Sequence, residues 1–334
     1  MPFALLRCTG GLLLLLSSAP GLAQILPAQF EADRVYLQAS DGLGQQLRLY
    51  TDTGGGLFIK QAAVERLKLI SEPLTDPLAL REVGDRARTT RLPTFALAAF
   101  IPPPLADGGK LMVLPAELAG RQLPGTSEDD GMLGQAWFDG RIWTWDYPGQ
   151  VFKLERSTWK PGADVQRIPL GFKTDPQGQR LTAFPRMQVS IDGKVYSLLL
   201  DTGAMTVLNP SALIALGEDG PAERATSMIT DSVFRAWRKA HPDWRVIEDA
   251  QAGMGSAMIE VPEVIIAGYK VGPVWFTQRE DRNFHDFMSS FMDARVDGAL
   301  GGNAFRHFVM TVDYPGAAAY FRCATCKKAP PVTP

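Results

Sequence analysis

Cysteine is scarce in this chain. There are three in 334 residues, and only Cys323 and Cys326 lie beyond the N-terminal leader described below. A disulfide framework therefore does not organise the fold. Histidine is as rare: His241, His285 and His307 show no metal-ligand spacing, and a structural zinc site takes about four ligands. No metal or organic cofactor is implied. A formal net charge of −2 speaks against a basic surface for nucleic acid or anionic lipid. Gly-x-Ser-x-Gly, His-Glu-x-x-His and a phosphate-cradling glycine loop are all missing, so serine-hydrolase, zinc-protease and nucleotide chemistry lack their motifs. Long apolar runs are missing too. The best, Leu12 to Leu16, falls far short of the roughly 20 residues that cross a bilayer.

That short run nevertheless has a reading. Arg7 precedes it and Gly21-Leu22-Ala23 follows it, the layout of a cleavable export signal over residues 1–23. Cys8 stands before the apolar run rather than after it, which argues against a lipid-modified cysteine. The expected product is periplasmic or secreted, with no stable membrane insertion after cleavage. In that setting Cys323-Ala324-Thr325-Cys326 reads as a small disulfide closing the C-terminus.

Glycine (32) and proline (25) are plentiful, a mixture suited to short strands and tight turns rather than helical bundles. The chain also repeats itself once. Leu47-Arg48-Leu49-Tyr50-Thr51-Asp52-Thr53-Gly54 matches Tyr196-Ser197-Leu198-Leu199-Leu200-Asp201-Thr202-Gly203. Asp130-Gly131-Met132-Leu133-Gly134 matches Asp297-Gly298-Ala299-Leu300-Gly301, and Asp146-Tyr147-Pro148-Gly149 matches Asp313-Tyr314-Pro315-Gly316. The step between the last two blocks is 16 residues in both halves (146−130 and 313−297). From Asp-Thr-Gly to the second block it is 78 (130−52) in one half and 96 (297−201) in the other.

A break at Lys160-Pro161-Gly162 divides the chain. The expected layout is a first lobe over 24–158, a second over 164–322 and a tail over 323–334. A helical pattern over Gln61 to Leu67 is paired with one over Pro210 to Leu216. The extra length of the second half is assigned to a helix within Asp231 to Glu248.

Each Asp-Thr-Gly ends an apolar strand, so its aspartate leaves a low-dielectric environment that penalises charge. Thr53 and Thr202 can hydrogen-bond across to each other or to nearby backbone, and Gly54 and Gly203 permit close approach. Two such loops face to face supply two carboxyls that cannot both ionise and so share a proton. A shared proton suits water-mediated amide hydrolysis, one carboxylate activating water while the other carboxyl polarises the scissile carbonyl.

With Asp52-Thr53-Gly54 and Asp201-Thr202-Gly203 each followed by Asp-Gly-x-Leu-Gly, the chain resembles the aspartic proteases of the pepsin and retroviral kind. The resemblance implies a mainly β, bilobal fold of two homologous barrel-like lobes with a cleft between them. Asp52 and Asp201 would be the catalytic pair, and Met132-Leu133-Gly134 and Ala299-Leu300-Gly301 would thread beside the loop of their own lobe. The substrate would be a peptide or an unfolded protein, and the chain a monomer, since both lobes are tethered. Flap tips are expected near Gly84 and near Gly253-Met254-Gly255.

A rival reading keeps the fold as a peptide- or protein-binding module with little turnover. Its support is the glycine-rich loop Gly54-Gly55-Gly56 and the lack of tyrosine between Asp52 and Asp130. The duplicated Asp130, Asp297, Asp146 and Asp313 read as turn caps. Trp137, Phe138, Trp143, Trp145 and Tyr147 read as core.

Overall fold

The computed structural model describes residues 23–74, 87–96, 100–118, 129–217 and 219–329. Apart from Ala23, the expected export signal lies outside the described residues, as do Gly84 and the end of the tail, 330–334. Among the described residues no helix is long and apolar enough to cross a membrane.

The first half contributes strands β1 (Gln24–Ile25), β2 (Ala28–Glu31), β3 (Arg34–Ser40), β4 (Gln46–Thr51), β5 (Leu57–Lys60), β6 (Ser71–Pro73), β7 (Arg88–Arg91), β8 (Lys110–Leu114), β9 (Gly131–Leu133), β10 (Ile142–Asp146) and β11 (Val151–Leu154). The second contributes β12 (Gln166–Pro169), β13 (Arg186–Ile191), β14 (Lys194–Leu200), β15 (Met205–Val207), β16 (Glu223–Ala225), β17 (Ser227–Thr230), β18 (Val246–Ile247) and β19 (Met258–Val261). It continues with β20 (Val264–Ile266), β21 (Tyr269–Val271), β22 (Val274–Arg279), β23 (Gly298–Leu300), β24 (Val309–Asp313), β25 (Ala318–Arg322) and β26 (Lys327–Lys328).

The two halves fold alike. The first lobe's sheet runs β2-β3-β4-β9-β5-β8-β7-β6, and the second's runs, read from its far edge, β26-β21-β20-β13-β14-β23-β17-β22-β19-β18. Seven consecutive strands correspond, from β3 with β13 to β6 with β18. Among the described residues neither sheet closes into a barrel. In both lobes the strand leading to Asp-Thr-Gly pairs in parallel with the Asp-Gly-x-Leu-Gly strand, Leu49 beside Gly131 and Leu199 beside Ala299. A β-strand buried on both faces reads as an apolar run, which is why Leu198-Leu199-Leu200 shows little alternation.

A third sheet, β1-β11-β10-β24-β25-β12, joins the lobes. Its midline is the antiparallel pair β10–β24, where Thr144 faces Thr311 with their hydroxyls 2.8 Å apart. These two residues are repeat counterparts, so the pseudo-twofold axis of the duplication passes between them. Behind this sheet the aromatic cluster is buried as core, with Trp137 and Trp143 ring centres 4.3 Å apart and Phe138 stacked on Tyr314 at 6.2 Å. The Asp-Tyr-Pro-Gly turns are capped alike, Gly149 N donating to Asp146 Oδ1 and Gly316 N to Asp313 Oδ1, both at 2.8 Å.

The pairing of helices differs from the sequence reading. The strand that lies antiparallel to the Asp-Gly-x-Leu-Gly strand is β5 in one lobe and β17 in the other, and each runs directly into a helix. The counterpart of helix Gln61–Arg66 is therefore helix Asp231–Ala240, not Pro210–Leu216. Helix Asp231–Ala240 buries Phe234 and Trp237, one turn apart, and carries Arg238 and Lys239 at its C-terminal end, where the helix dipole favours cations.

Helix Pro210–Leu216 is instead an addition. Asn209 caps it by accepting from Ala212 N, Pro210 starts it, and left-handed Gly217 (φ 70°) ends it. It belongs to an insertion bounded by the β15–β16 hairpin. Ile59 and Ile229 face the equivalent Gly131 and Gly298. From the aspartate to that isoleucine is 7 residues (59−52) against 28 (229−201). The insertion is thus 21 residues (28−7), more than the excess of 18 (96−78), so the extra length lies here and not in Asp231 to Glu248 as the sequence reading assigned it.

Candidate functional site

Both Asp-Thr-Gly loops are built from the same local bonds. Asp52 N donates to Leu133 O (3.1 Å) and Asp201 N to Leu300 O (3.0 Å), so each Asp-Gly-x-Leu-Gly strand fixes the start of its own lobe's loop. Gly54 N then reaches back to Asp52 Oδ1 (2.8 Å) and Gly203 N to Asp201 Oδ1 (3.0 Å), orienting each carboxyl. Between the lobes the two threonines interlock. Thr53 Oγ1 donates to Leu200 O at 2.6 Å and accepts from Thr202 N at 3.0 Å, while Thr53 N donates to Thr202 Oγ1 at 3.2 Å. Both threonines are fully buried.

This clasp brings the loops face to face, the Asp201 carboxyl against Gly54 and the Asp52 carboxyl against Gly203, close enough for each carboxyl to act on the other's ionisation. Glycine at the third position is required by space. A Cβ on Gly54 would lie 2.6 Å from Asp201 Cγ, and one on Gly203 would lie 2.2 Å from Asp52 Cγ. Burial pushes both carboxyls above the usual carboxylate range, and for Asp201, held well above it, the neighbouring Asp52 charge adds to the effect. Backbone N–H donors from Gly54, Gly203 and Gly55 work against the rise at Asp52, and those from Gly203 and Ala204 at Asp201. Neither carboxyl is sealed away: Asp52 retains 9% exposure and Asp201 is half-buried. The arrangement can hold one proton between two oxygens at a solvent-accessible point, the chemistry expected of a pair sharing charge.

Gly55 does not loosen the first loop. A Cβ there would lie 2.4 Å from Met132 Sδ and 2.5 Å from Asp52 Oδ2. The other lobe has Ala204 and Ala299 at the two corresponding positions. A large residue beneath one loop is matched by glycine in it, and two alanines fill the same volume across the axis.

Most other expected residues fall where their chemistry suggests. Asp130 and Asp297 read as turn caps in the sequence, but their bonds tie neighbouring strands at the start of β9 and β23, Asp130 N donating to Arg48 O (2.8 Å) and Asp297 N to Ser197 O (2.9 Å). Asp130 also accepts from Arg48 N at 2.9 Å, and Asp297 lies 3.2 Å from His285 Nε2. Gly253-Met254-Gly255 is the tip between β18 and β19, with both glycines at positive φ and Met254 61% exposed. The equivalent hairpin in the first lobe is β6–β7, and Gly84 falls in sequence between those strands. Cys323 and Cys326 are joined as a disulfide, Cα atoms 5.5 Å apart.

Among the cross-lobe contacts that escaped the sequence reading are two beside the loops and the insertion. The buried Tyr50 hydroxyl donates to Gly203 O at 2.8 Å. Arg34 pairs with the Glu223 carboxylate of the insertion and donates to its backbone carbonyl at 3.1 Å. Both replace what the repeat would have made symmetric, Tyr50 standing opposite Leu199.

No protein-family model matches the chain, and no curated protein matches it. Among solved structures, it is similar to an aspartic proteinase from Irpex lacteus (TM-score 0.47, 10% identity, covering 91% of this chain and 98% of that one). It is similar to basic 7S globulin from soybean at the same TM-score and identity, over 90% and 95%. Conglutin gamma from lupine seeds gives a TM-score of 0.44 at 12% identity, over 90% and 95%. The strand order, the twin loops and their clasp make a mainly β fold of two homologous lobes.

Proposed function

We propose that the protein is an exported aspartic endopeptidase, with Asp52 and Asp201 as its catalytic pair. The observation that carries this reading is the pair of facing carboxyls, each held by its own Asp-Thr-Gly backbone and each raised by burial. An ionised carboxylate of the pair takes a proton from a water molecule as its oxygen bonds to the scissile carbonyl carbon. The protonated carboxyl gives its proton to the carbonyl oxygen, and the C–N bond then breaks as the amine nitrogen is protonated. The substrate is an extended peptide or an unfolded protein segment that pairs by backbone hydrogen bonds with hairpins flanking the pair. Export is supported by the leader pattern and by the Cys323–Cys326 disulfide, a bond that persists in oxidising compartments. The protein acts as a monomer, because both halves of the site lie in one chain.

The rival reading, a binding module without turnover, loses its loose-loop support, because Gly55 is packed against Met132 and Asp52. Incubation of the mature protein with an unfolded protein, followed by mass spectrometry of the products, tests the choice. Endoproteolysis should appear with wild type and vanish in Asp52→Asn and in Asp201→Asn. Peptide binding without cleavage by the wild type would favour the binding module.

A further inference from the structure

The clasp between the loops is symmetric in its threonines and asymmetric in one further bond. Tyr50 lies on β4 two residues before Asp52, is 1% exposed, and spans 153 positions of sequence to donate to Gly203 O at 2.8 Å. That carbonyl belongs to the same peptide group as Ala204 N, which donates to the backbone oxygen of Asp201 at 3.3 Å and so closes the turn of the second loop, while Gly203 N donates to the Asp201 carboxyl at 3.0 Å. The position after the second Asp-Thr-Gly has no side-chain hydroxyl, so backbone donors are the ones that act on Asp201 there. A peptide whose oxygen accepts a hydrogen bond becomes a stronger donor through its N–H, because hydrogen bonds in a chain polarise one another. In the other lobe Leu199 stands where Tyr50 does, and it has no hydroxyl to offer the Gly54–Gly55 peptide.

We propose that Tyr50 is a positioning residue of the aspartate pair: its hydroxyl locks the second Asp-Thr-Gly loop from across the lobe boundary and so keeps Gly203 N on the Asp201 carboxyl. This role rests on the reading of Asp52 and Asp201 as a functional pair and adds a group outside both motifs. Tyr50 is itself held in place. Its ring packs on Tyr36 (centres 5.0 Å apart), which lies under the guanidinium groups of Arg34 and Arg48 at 5.3 and 3.9 Å. Burial keeps its phenol protonated, well above the usual range, so it remains a donor throughout the working pH. The charged and titratable groups around it and the aspartates are Arg34, Arg48, Asp129, Tyr36 and Asp33, with Tyr147 and Tyr314 behind the loops. None of these changes when Tyr50 alone is altered.

The test is Tyr50→Phe, which keeps the ring and removes one oxygen. The Gly203 N–H favours the charged form of the carboxyl it donates to, so a loop loosened by losing the hydroxyl should raise the titration of the pair. In ¹³C-aspartate-labelled protein, the carboxyl resonances of the pair should titrate about 0.2–0.5 pH unit higher in the variant. Tyr50→Leu, which copies the other lobe, should move them the same way. In the cleavage assay Tyr50→Phe should lower kcat roughly 3- to 10-fold while KM stays within about twofold, as expected when a reacting group is slightly misplaced. A lowered melting temperature with an unmoved titration would make Tyr50 merely structural and overturn the proposal. Absence of turnover in the wild type would refute the endopeptidase reading, while the resonance titration would still decide the role of Tyr50.

Discussion

The packing of Met132 against Gly55 makes a sharp test of how the two loops are fitted. Gly55→Ala places a carbon 2.4 Å from Met132 Sδ and 2.5 Å from Asp52 Oδ2, where unstrained contacts lie near 3.5–4.0 Å. Overpacking of that size costs about 1–3 kcal/mol. Met132→Ala alone removes a side chain that is 5% exposed and leaves a cavity, at a cost of about 2–4 kcal/mol. The double variant recreates the alanine pair found at Ala204 and Ala299. It should therefore be more stable than the sum of the single changes by about 1–2 kcal/mol. Equilibrium urea unfolding followed by tryptophan fluorescence gives all four corners of the cycle. Additivity within about 0.5 kcal/mol would show that the sulfur and the glycine do not compete for the same space, which would refute the compensation between them.

Replacing Thr53 by valine removes a donor to Leu200 O and an acceptor for Thr202 N, leaving buried backbone groups unpaired, and should cost about 2–4 kcal/mol in urea unfolding. The disulfide closes a loop with a sequence separation of 3. Changing Cys323 and Cys326 together to serine should leave cleavage intact and stability within about 2 kcal/mol, checked by activity and thermal unfolding. Stoichiometric zinc in the purified protein would contradict the disulfide. The last of these predictions concerns pH. Because the Asp201 carboxyl is raised, the folded state binds its proton more tightly than the unfolded state. Stability should then fall as pH rises from the unfolded value near 3.8 through the raised folded value. Asp201→Asn should be more stable than wild type at neutral pH, by about 1.4 kcal/mol for each pH unit separating the folded and unfolded titrations, and should lose this advantage below the unfolded value. Urea midpoints at pH 3 and pH 7 decide it.

The duplication was legible because the repeated residues serve local bonds that every copy must make. Asp146 and Asp313 cap the same turn, and Leu133 and Leu300 accept from the same amide. The seat of each Asp-Gly-x-Leu-Gly strand beside its own lobe's loop is expected from the resemblance and is seen in the parallel pairings. The pairing of helices was not legible, since the inserted helix Pro210–Leu216 occupies nearly the same distance from Asp-Thr-Gly as the helix it was matched with. Only the register of β5 on β9 and β17 on β23 distinguishes them. Tyr50 and Arg34 act through partners 153 and 189 positions away, contacts that no local pattern encodes. A signal was nonetheless present in the repeat alignment. Where the halves disagree, as at Tyr50 with Leu199 or Met132 with Ala299, the structure places cross-lobe or compensating contacts.

Two carboxyls sharing one proton are the centre of the proposed mechanism, and the pH dependence of kcat/KM on an unfolded substrate tests them directly. The profile should be bell-shaped, with rate lost at low pH as the pair gains its second proton and at high pH as it loses its last. Because both carboxyls are raised, the high-pH limb should lie well above the ordinary carboxylate range. A cleavage rate that is flat from strongly acidic to neutral pH, or one that survives in both Asp52→Asn and Asp201→Asn, would contradict the shared-proton pair.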